Sequence, residues 1–219
     1  MLIIEPTKKG VGVSIWGDYG DLRVLYDLFS NYLNMNQSVE TSQMGRLLSV
    51  MSYEIRHAFQ HERLKRILCY DLDNKVTYYG FNTDWITLLF SVRCLRTCVS
   101  LIPSTELIQS EMYLFESLVK TAIQKYDTSS YHKLIPYIDY LIPSNEKSVY
   151  ILHQYCVKSF FESKKKGKVR FRSIPDILER HCLINSYFFK EIQNGIEQMK
   201  KEGYNLDDIE IKYDDIEIE

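Results

Sequence analysis

The sequence LIIEPTKKGVGVSIW, residues 2–16, decides the fold class. Its two apolar runs, Leu2–Glu5 and Val11–Trp16, flank a link with Pro and Gly, which is the pattern of a β-hairpin. The segment Lys75–Phe81 predicts a third strand, whereas most other apolar residues recur at helical spacing. We therefore expect an α+β fold that is predominantly α. A helical bundle should pack on a small antiparallel sheet formed by the hairpin, the strand near 75–81 and, as a candidate fourth strand, the C-terminal tail.

The helices are predicted from apolar residues three and four positions apart and from capping residues at their starts. The second and longest helix is expected to run from Gln43 to Leu68. Its buried stripe is predicted to consist of Leu48, Met51, Ile55, Ala58 and Phe59. The predicted helices cover approximately residues 22–33, 43–68, 85–101, 103–123, 134–140, 143–161 and 186–201.

Composition predicts an ordinary globular protein, since 45% of the 219 residues are hydrophobic and 26% are charged. We expect a single domain over residues 1–219. Residues 1–101 should hold the hairpin, two long helices, the third strand and the third helix, and residues 102–219 the rest. The formal net charge of -2 excludes a chain-wide attraction to nucleic acid or acidic membranes, so such binding would require a local patch.

The cysteines indicate the cellular compartment, and the lack of a phosphate-binding Gly-rich loop bears on cofactor binding. The five cysteines contain no CxxC pair, so we expect reduced thiols in a cytoplasmic protein. The longest apolar run, Trp85–Val92, is far short of the roughly 20 residues that span a bilayer, so no membrane partner is expected. No phosphate-binding Gly-rich loop occurs, and we predict neither a cofactor nor a metal ion.

Residues that could perform chemistry are dense only in YEIRHAFQHER, residues 53–63. If one helix runs through this segment, Glu54, His57 and His61 line one stripe and Arg56 lies on the next. Three interpretations remain open: a metal site built on Glu-x-x-His spacing, an RNA-cleaving site, and a solvated helix face with paired charges. In the last of these, Arg56, His57 and His61 project away from the packed interior.

The pattern Arg56-His57-x-x-x-His61 resembles the R-x4-6-H motif of HEPN domains, which are helical bundles that cleave RNA without metal, often across a dimer. The resemblance implies that His61 acts as general acid or base and that Arg56 stabilises charge on the transferring phosphate. It also implies that His57 orients the reacting group. In HEPN domains the motif usually lies late in the bundle, whereas here it follows the hairpin in the second predicted helix.

Two charged blocks lie near the C terminus. We refer to residues 164–172 as the basic segment and to residues 207–219 as the acidic tail. Charged and apolar residues alternate in both, which predicts that part of the tail pairs as a strand with the basic segment or with an N-terminal strand. The basic segment is also the candidate nucleic-acid-binding surface. Its predicted contacts are Lys164, Lys165, Lys166, Lys168, Arg170, Phe171 and Arg172.

Three segments together resemble an uncharacterised family of bacterial proteins, one of the domains of unknown function. They are Gly12–Asp18, Tyr53–Gln60 and Tyr78–Phe81, so the resemblance covers roughly residues 10–100. It implies a bacterial cytosolic origin and no particular activity.

We expect the chain to be a non-catalytic accessory or interaction subunit of a bacterial cytosolic complex. Another protein or a second copy is the expected partner, because a Tyr-rich composition suits interfaces. The first alternative is a HEPN-like, metal-independent ribonuclease that uses Arg56 and His61. The second is a nucleic-acid-binding module that acts through the basic segment.

Overall fold

A computed structural model describes residues 1–35, 42–69, 75–101, 103–144, 147–205, 209, 211 and 218. The strands are β1 (Ile3–Pro6), β2 (Gly12–Gly17), β3 (Leu64–Cys69) and β4 (Lys75–Asp84). The first helices are α1 (Tyr19–Met35), α2 (Gln43–Phe59), α3 (Trp85–Leu101), α4 (Glu106–Tyr126) and α5 (Thr128–Pro136). A π-helical turn (Tyr137–Leu141) precedes α6 (Val149–Phe161), α7 (Gly167–Phe171), α8 (Ile174–Cys182) and α9 (Tyr187–Lys201). The predicted α+β, predominantly α fold is confirmed.

The sheet is antiparallel with strand order β1-β2-β4-β3. The predicted hairpin is confirmed, with Ile4 opposite Ile15 in β1 and β2. Its turn holds Gly10 at a φ of +68°, and a Cβ there would lie 1.8 Å from the Tyr126 hydroxyl and 3.3 Å from the backbone of Gly167. The hairpin turn therefore packs directly against the end of α4 and the start of α7.

The second predicted helix is shorter than expected, and this corrects the sequence-based boundary at Leu68. Helix α2 ends at Phe59, and residues 64–69 form the edge strand β3, which pairs with β4. The helix ends in a Schellman arrangement, in which His61 N–H donates to the Ala58 carbonyl and Glu62 N–H to the His57 carbonyl. His61 takes the left-handed conformation, with a φ of 68°, that glycine usually supplies. Without a glycine, the sequence carries no stop signal.

Helix α3 lies at the centre of the molecule and packs against α1, α2, α4, α6, the π-helical turn and the sheet. Nearly all of its first fifteen residues are buried, which agrees with a sequence that is apolar all round. Trp85 at its start has no exposed surface and packs edge-on against Phe171, with ring centroids 4.8 Å apart. One cluster of buried apolar side chains extends around α3 from Ile4 to Phe189.

Thr87 of α3 is buried together with its hydrogen-bond partners. Asp84 caps the helix by accepting from Thr87 N–H at 2.8 Å, and the Thr87 hydroxyl lies 2.5 Å from the other Asp84 oxygen. The same hydroxyl lies 2.9 Å from His153 Nε2 on α6. Burial raises the pKa of Asp84 and lowers the pKa of His153 to about 3, so the imidazole is neutral near pH 7.

The C-terminal part differs from the prediction in two places. The alternation in the basic segment was a strand signal, but residues 167–171 form the short helix α7, in which the adjacent residues Arg170 and Phe171 are both buried. Helix α8 was not predicted. The acidic tail, with its predicted strand pairing to the basic segment or an N-terminal strand, lies outside the described residues except for Ile209, Ile211 and Ile218. The carbonyl of Ile218 accepts a hydrogen bond from Asn82 Nδ2 of β4, at 2.6 Å.

Gly12 is predicted to be essential for the approach of β2 to β4. A Cβ at this residue would lie 2.0 Å from the Thr83 carbonyl oxygen, which is backbone and cannot rotate away. We expect Gly12→Ala to lower the free energy of unfolding by about 2–3 kcal/mol, measured by urea denaturation. Gly195→Ala in α9 is the matched control, because nothing lies within 4 Å of its added methyl group. It should stabilise the protein by about 0.5–1 kcal/mol, and equal losses in both variants would contradict the steric explanation.

Candidate functional site

The last two turns of α2 and the turn that follows carry the residues singled out in the sequence. We refer to Tyr53, Glu54, Arg56, His57, Glu62 and Arg63 as the Arg56 cluster. Its polar groups face outward, whereas the predicted stripe from Leu48 to Phe59 is buried, as expected. Arg56 and His61 are exposed and His57 is partly exposed, so the expected orientation of these three side chains is confirmed.

Within the Arg56 cluster, one imidazole lies between a carboxylate and a guanidinium. His57 Nδ1 is hydrogen-bonded to Glu62, and His57 Nε2 lies 3.3 Å from Arg56 Nη2. Because a guanidinium only donates, Nε2 accepts and the ring proton belongs on Nδ1, facing Glu62. The arrangement presents an oriented, unprotonated imidazole nitrogen beside a positive charge.

The second arginine of the cluster is neutralised. Arg63 makes a two-point ion pair with Glu54, through Nε at 2.8 Å and Nη2 at 3.1 Å. This hydrogen bonding raises the pKa of Arg63. The carbons Cζ of Arg56 and Arg63 lie 5.5 Å and 6.0 Å from the ring centroid of Tyr53, so the exposed ring is flanked by both cations.

His61 does not share a helical stripe with Glu54 and His57, because α2 ends before it. The structure instead places its ring flat on Tyr79 of β4, with centroids 4.0 Å apart and planes 14° apart. The histidine that meets Arg56 is therefore His57 rather than His61. The site that the sequence placed at Arg56, His57 and His61 is brought together only in part.

The residues of the basic segment differ in exposure: its lysines face solvent, whereas Arg170 and Phe171 are buried. The lysines Lys164, Lys165, Lys166 and Lys168 are exposed. Arg170 instead donates to the carbonyls of Lys165 and Ser163, at 2.8 Å and 3.1 Å, and so fastens its own loop.

The other two predicted contacts of the basic segment are also engaged within the protein. Phe171 has no exposed surface, which corrects the expectation that its ring could stack on a base. Arg172 pairs with the buried carboxylate of Asp127 at 2.7 Å, and this contact holds the Asp127 pKa well below its usual range. Nucleic-acid binding by the four lysines alone stays a prediction.

A third feature, not predicted from the sequence, is an open apolar groove between α6, α8 and α9, with a volume of about 360 Å³. We refer to it as the C-terminal groove. Its walls are aliphatic and aromatic apart from one imidazole and one carboxylate. The lining residues are Ile151, Tyr155, His181, Phe188, Glu191, Ile192, Gly195, Ile196, Met199 and Ile209.

The imidazole of the groove is buried and neutral. His181 Nε2 lies 3.0 Å from the Ser159 hydroxyl, and the ring lies between Tyr155 and Phe188, with centroid distances of 6.2 Å and 5.7 Å. Burial, with a smaller contribution from the charge of Arg180, lowers the pKa of His181 to about 4. Among the described residues, His181 Nδ1 has no hydrogen-bond partner.

The chain's own tail reaches this groove. Ile209 is one of the lining residues, and Ile211 N–H donates to Oε1 of the buried Gln154 on α6 at 3.4 Å. A residue two positions further along the tail thus makes a backbone hydrogen bond beside a side chain that enters the groove.

A family model matches the chain over residues 2–219. The chain belongs to DUF6904, a domain of unknown function. The resemblance to an uncharacterised family is confirmed, and the match extends well beyond residues 10–100. No curated protein and no solved structure gives a significant match to this DUF6904 chain. In the described part of the chain, no helix has both the length and the apolarity to cross a membrane.

A run of aromatic residues in the sequence is a weak signal for the groove. The segment YFF, residues 187–189, opens α9, but only Phe189 of the three is buried. Three consecutive aromatic residues in a helix cannot all face one side, because successive residues are 100° apart. At least one ring must therefore lie at the rim of any interface that the helix makes.

The two buried histidines predict loss of stability in mild acid. Their folded pKa values, about 4 for His181 and about 3 for His153, lie below the usual 6.5, so folding favours the neutral forms. Their contribution is complete above pH 6.5 and falls as the pH drops below it, by up to about 2 kcal/mol per histidine at pH 5. Urea unfolding at pH 7 and pH 5 measures this difference.

The variant His181→Gln should reduce this pH dependence, because glutamine does not titrate. His132→Gln is the matched control, since His132 is exposed on α5. If both variants keep the full wild-type difference between pH 7 and pH 5, His181 is not responsible for it.

Proposed function

We propose that this DUF6904 protein is a non-catalytic accessory subunit of a bacterial cytosolic complex. In this proposal the C-terminal groove binds an extended segment of a partner protein, one with aliphatic residues at alternate positions and acidic residues between them. The observation that carries the proposal is the groove itself, which is open, apolar and already entered by Ile209 of the chain's own tail.

The surroundings of the groove support a protein partner. Several of the apolar side chains that line it remain exposed, including Phe188 at 43%, and the other two are Tyr155 and Met199. Exposed apolar side chains that share one groove mark interaction sites, and Tyr, Phe and Met are enriched in the buried centres of protein interfaces. Tyr187 at the start of α9, and Ile184 and Tyr204 in the segments that flank this helix, are exposed as well.

The chemistry of the occupant is inferred from the tail. Ile209 and Ile211 are separated by Glu210, and Asp207 and Asp208 precede them. On the protein side, the Arg180 guanidinium lies 5.4 Å from the centroid of the Phe188 ring, which places a positive charge at the rim. A partner segment that combines isoleucine with acidic residues matches both the apolar walls and this charge.

Gly195 offers a direct test, because it lines the groove and nothing lies within 4 Å of an added Cβ. The probe is a fluorescent peptide with the sequence of residues 205–213, and binding to the full-length protein is measured by fluorescence anisotropy. We expect Gly195→Leu to fill the groove and to weaken peptide binding by about tenfold or more. Asn194→Leu, an exposed neighbour that does not line the groove, should bind like the wild type.

The measurement is repeated in an Ile209→Asp background, in which the chain's own side chain no longer favours the groove. Peptide affinity should be higher in this background than in the wild type, because competition within the chain is removed. Equal affinity for Gly195→Leu and Asn194→Leu would contradict the proposal. A concentration-dependent dimer in light scattering that Gly195→Leu abolishes would identify a second copy as the occupant instead of a different protein.

We propose RNA cleavage as a second candidate function, favoured by the chain of contacts from Glu62 through His57 to Arg56. A carboxylate that orients an imidazole is the usual arrangement around a general base, and the guanidinium matches phosphate oxygens. In this proposal Arg56 Nη2 turns from His57 Nε2 to the phosphate, which frees Nε2 to take the proton of the 2′-hydroxyl. The 2′-oxygen bonds to phosphorus as the bond between phosphorus and the 5′-oxygen breaks, a proton from water passes to the leaving 5′-oxygen, and Arg56 stabilises the charge on the phosphate. In this version His57 replaces His61, the base implied by the HEPN resemblance.

Incubation of labelled RNA with the full-length protein in EDTA tests this candidate. The wild type should cleave RNA, and His57→Ala should lower the rate by about a hundredfold or more, since general-base catalysis typically contributes that much. His132→Ala, at an exposed histidine of α5, should leave the rate unchanged. Intact RNA after incubation with the wild type removes this candidate.

A further inference from the structure

A second cavity lies where α3 meets α4, with a volume of about 290 Å³. Unlike the C-terminal groove, it has walls that combine polar and apolar side chains. The π-helical turn is also close, because its Asp139 lies 3.4 Å from Nη1 of the lining residue Arg96. Turns of this type are frequently found at functional sites. The lining residues are Arg96, Val99, Ser100, Gln109, Met112 and Tyr113.

A half-buried charge network borders this cavity. Arg96 Nη1 donates to both oxygens of Glu116, at 2.8 Å and 2.7 Å. Lys120 contacts Glu116 and Asp139, at 2.7 Å and 2.8 Å, and Arg93 Nη1 donates to the backbone carbonyl of Asp139 at 2.7 Å. Three cations therefore meet two carboxylates, which leaves one positive charge without a partner in this network.

Two of the cations have donors to spare. Arg93 Nε is buried and has no hydrogen-bond partner among the described residues. Burial, followed by repulsion from Arg96, lowers the pKa of Arg93. In the described part of the chain, the hydrogen bonds of Arg96 all use Nη1, so its Nε and Nη2 are left for a ligand. Arg96 lines the cavity and can donate to an anion there, whereas Arg93 does not line it and contributes only its positive charge to the network.

We propose that this cavity binds a small molecule through an oxyanion, either a phosphate or a carboxylate group. The free donors of Arg96 form the fork that recognises such groups. Gln109, whose side-chain amide already donates to Ser104 at 3.0 Å, has a second N–H for the ligand, and the hydroxyl of Tyr113 is a further donor. A volume of about 290 Å³ suits a small organic anion better than a peptide or a nucleic acid.

The site is separate from the C-terminal groove and does not depend on the function proposed for it. It also differs from the Arg56 cluster, where Arg63 is neutralised by Glu54 and the groups face open solvent. Here the excess charge is half-buried between helices, where an ionic contact is screened less than at the surface.

Isothermal titration of the full-length protein with inorganic phosphate, and separately with acetate, tests the proposal at an ionic strength held constant with sodium chloride. We expect saturable binding of at least one of the two ions, and the preferred ion identifies the oxyanion class. Gln109→Glu places a negative charge in the cavity wall and should weaken binding by about tenfold or more. Because Gln109 is exposed, this variant should fold normally.

The matched control is Gln124→Glu, which adds the same charge to an exposed position of α4 about 22 Å further along the helix. It should bind the anion as the wild type does. Arg96→Lys keeps a positive charge beside Glu116 but loses the fork, so it should also weaken binding. Heats of binding that neither ion produces, or equal weakening by Gln109→Glu and Gln124→Glu, would overturn the proposal.

Discussion

Burial of nearly all of the first fifteen residues of α3 is the constraint on which the rest of the structure depends. Polar side chains on such a helix need partners on neighbouring elements, because a buried polar group without a partner is costly. Thr87 meets Asp84 and His153, and the Thr97 hydroxyl lies 2.6 Å from that of Ser144. These contacts determine which faces of α6 and of the segment after the π-helical turn must approach α3.

The arginines of α3 also need partners from neighbouring elements, but one positive charge remains uncompensated. Charge must be compensated as well as hydrogen-bonded, and two carboxylates, Glu116 and Asp139, meet three cations, of which Arg93 reaches only the backbone carbonyl of Asp139. At the periphery, by contrast, apolar side chains remain exposed. Helix α9 packs by Phe189 and Ile196 and leaves half of its apolar side chains exposed, namely Tyr187, Phe188 and Met199. The molecule therefore combines a buried central helix, α3, with a peripheral helix, α9, whose exposed apolar side chains are available to a partner.

The elements that were predicted correctly have strong local signals, such as the hairpin, α3 and the Ser186-capped α9. The error at residues 60–69 has a physical cause, because His61 fills a position normally held by glycine and strand β3 acquires its pairing only from β4. For the candidate site, the outward orientation of Arg56 and His57 could be predicted, because the apolar stripe from Leu48 to Phe59 lies on the opposite face of α2. The contact between His57 and Glu62 depends on that turn, which brings Glu62 back against the helix.

The fit of Gly10 against Tyr126 and Gly167 bears on the order of assembly. The β1–β2 hairpin emerges from the ribosome before α4 and α7, yet these two helices provide the surface that receives its turn. Contacts between distant parts of a chain form slowly, because a long loop must close before any contact is gained. The turn between β1 and β2 therefore lacks its packing partners until α7 has been synthesised.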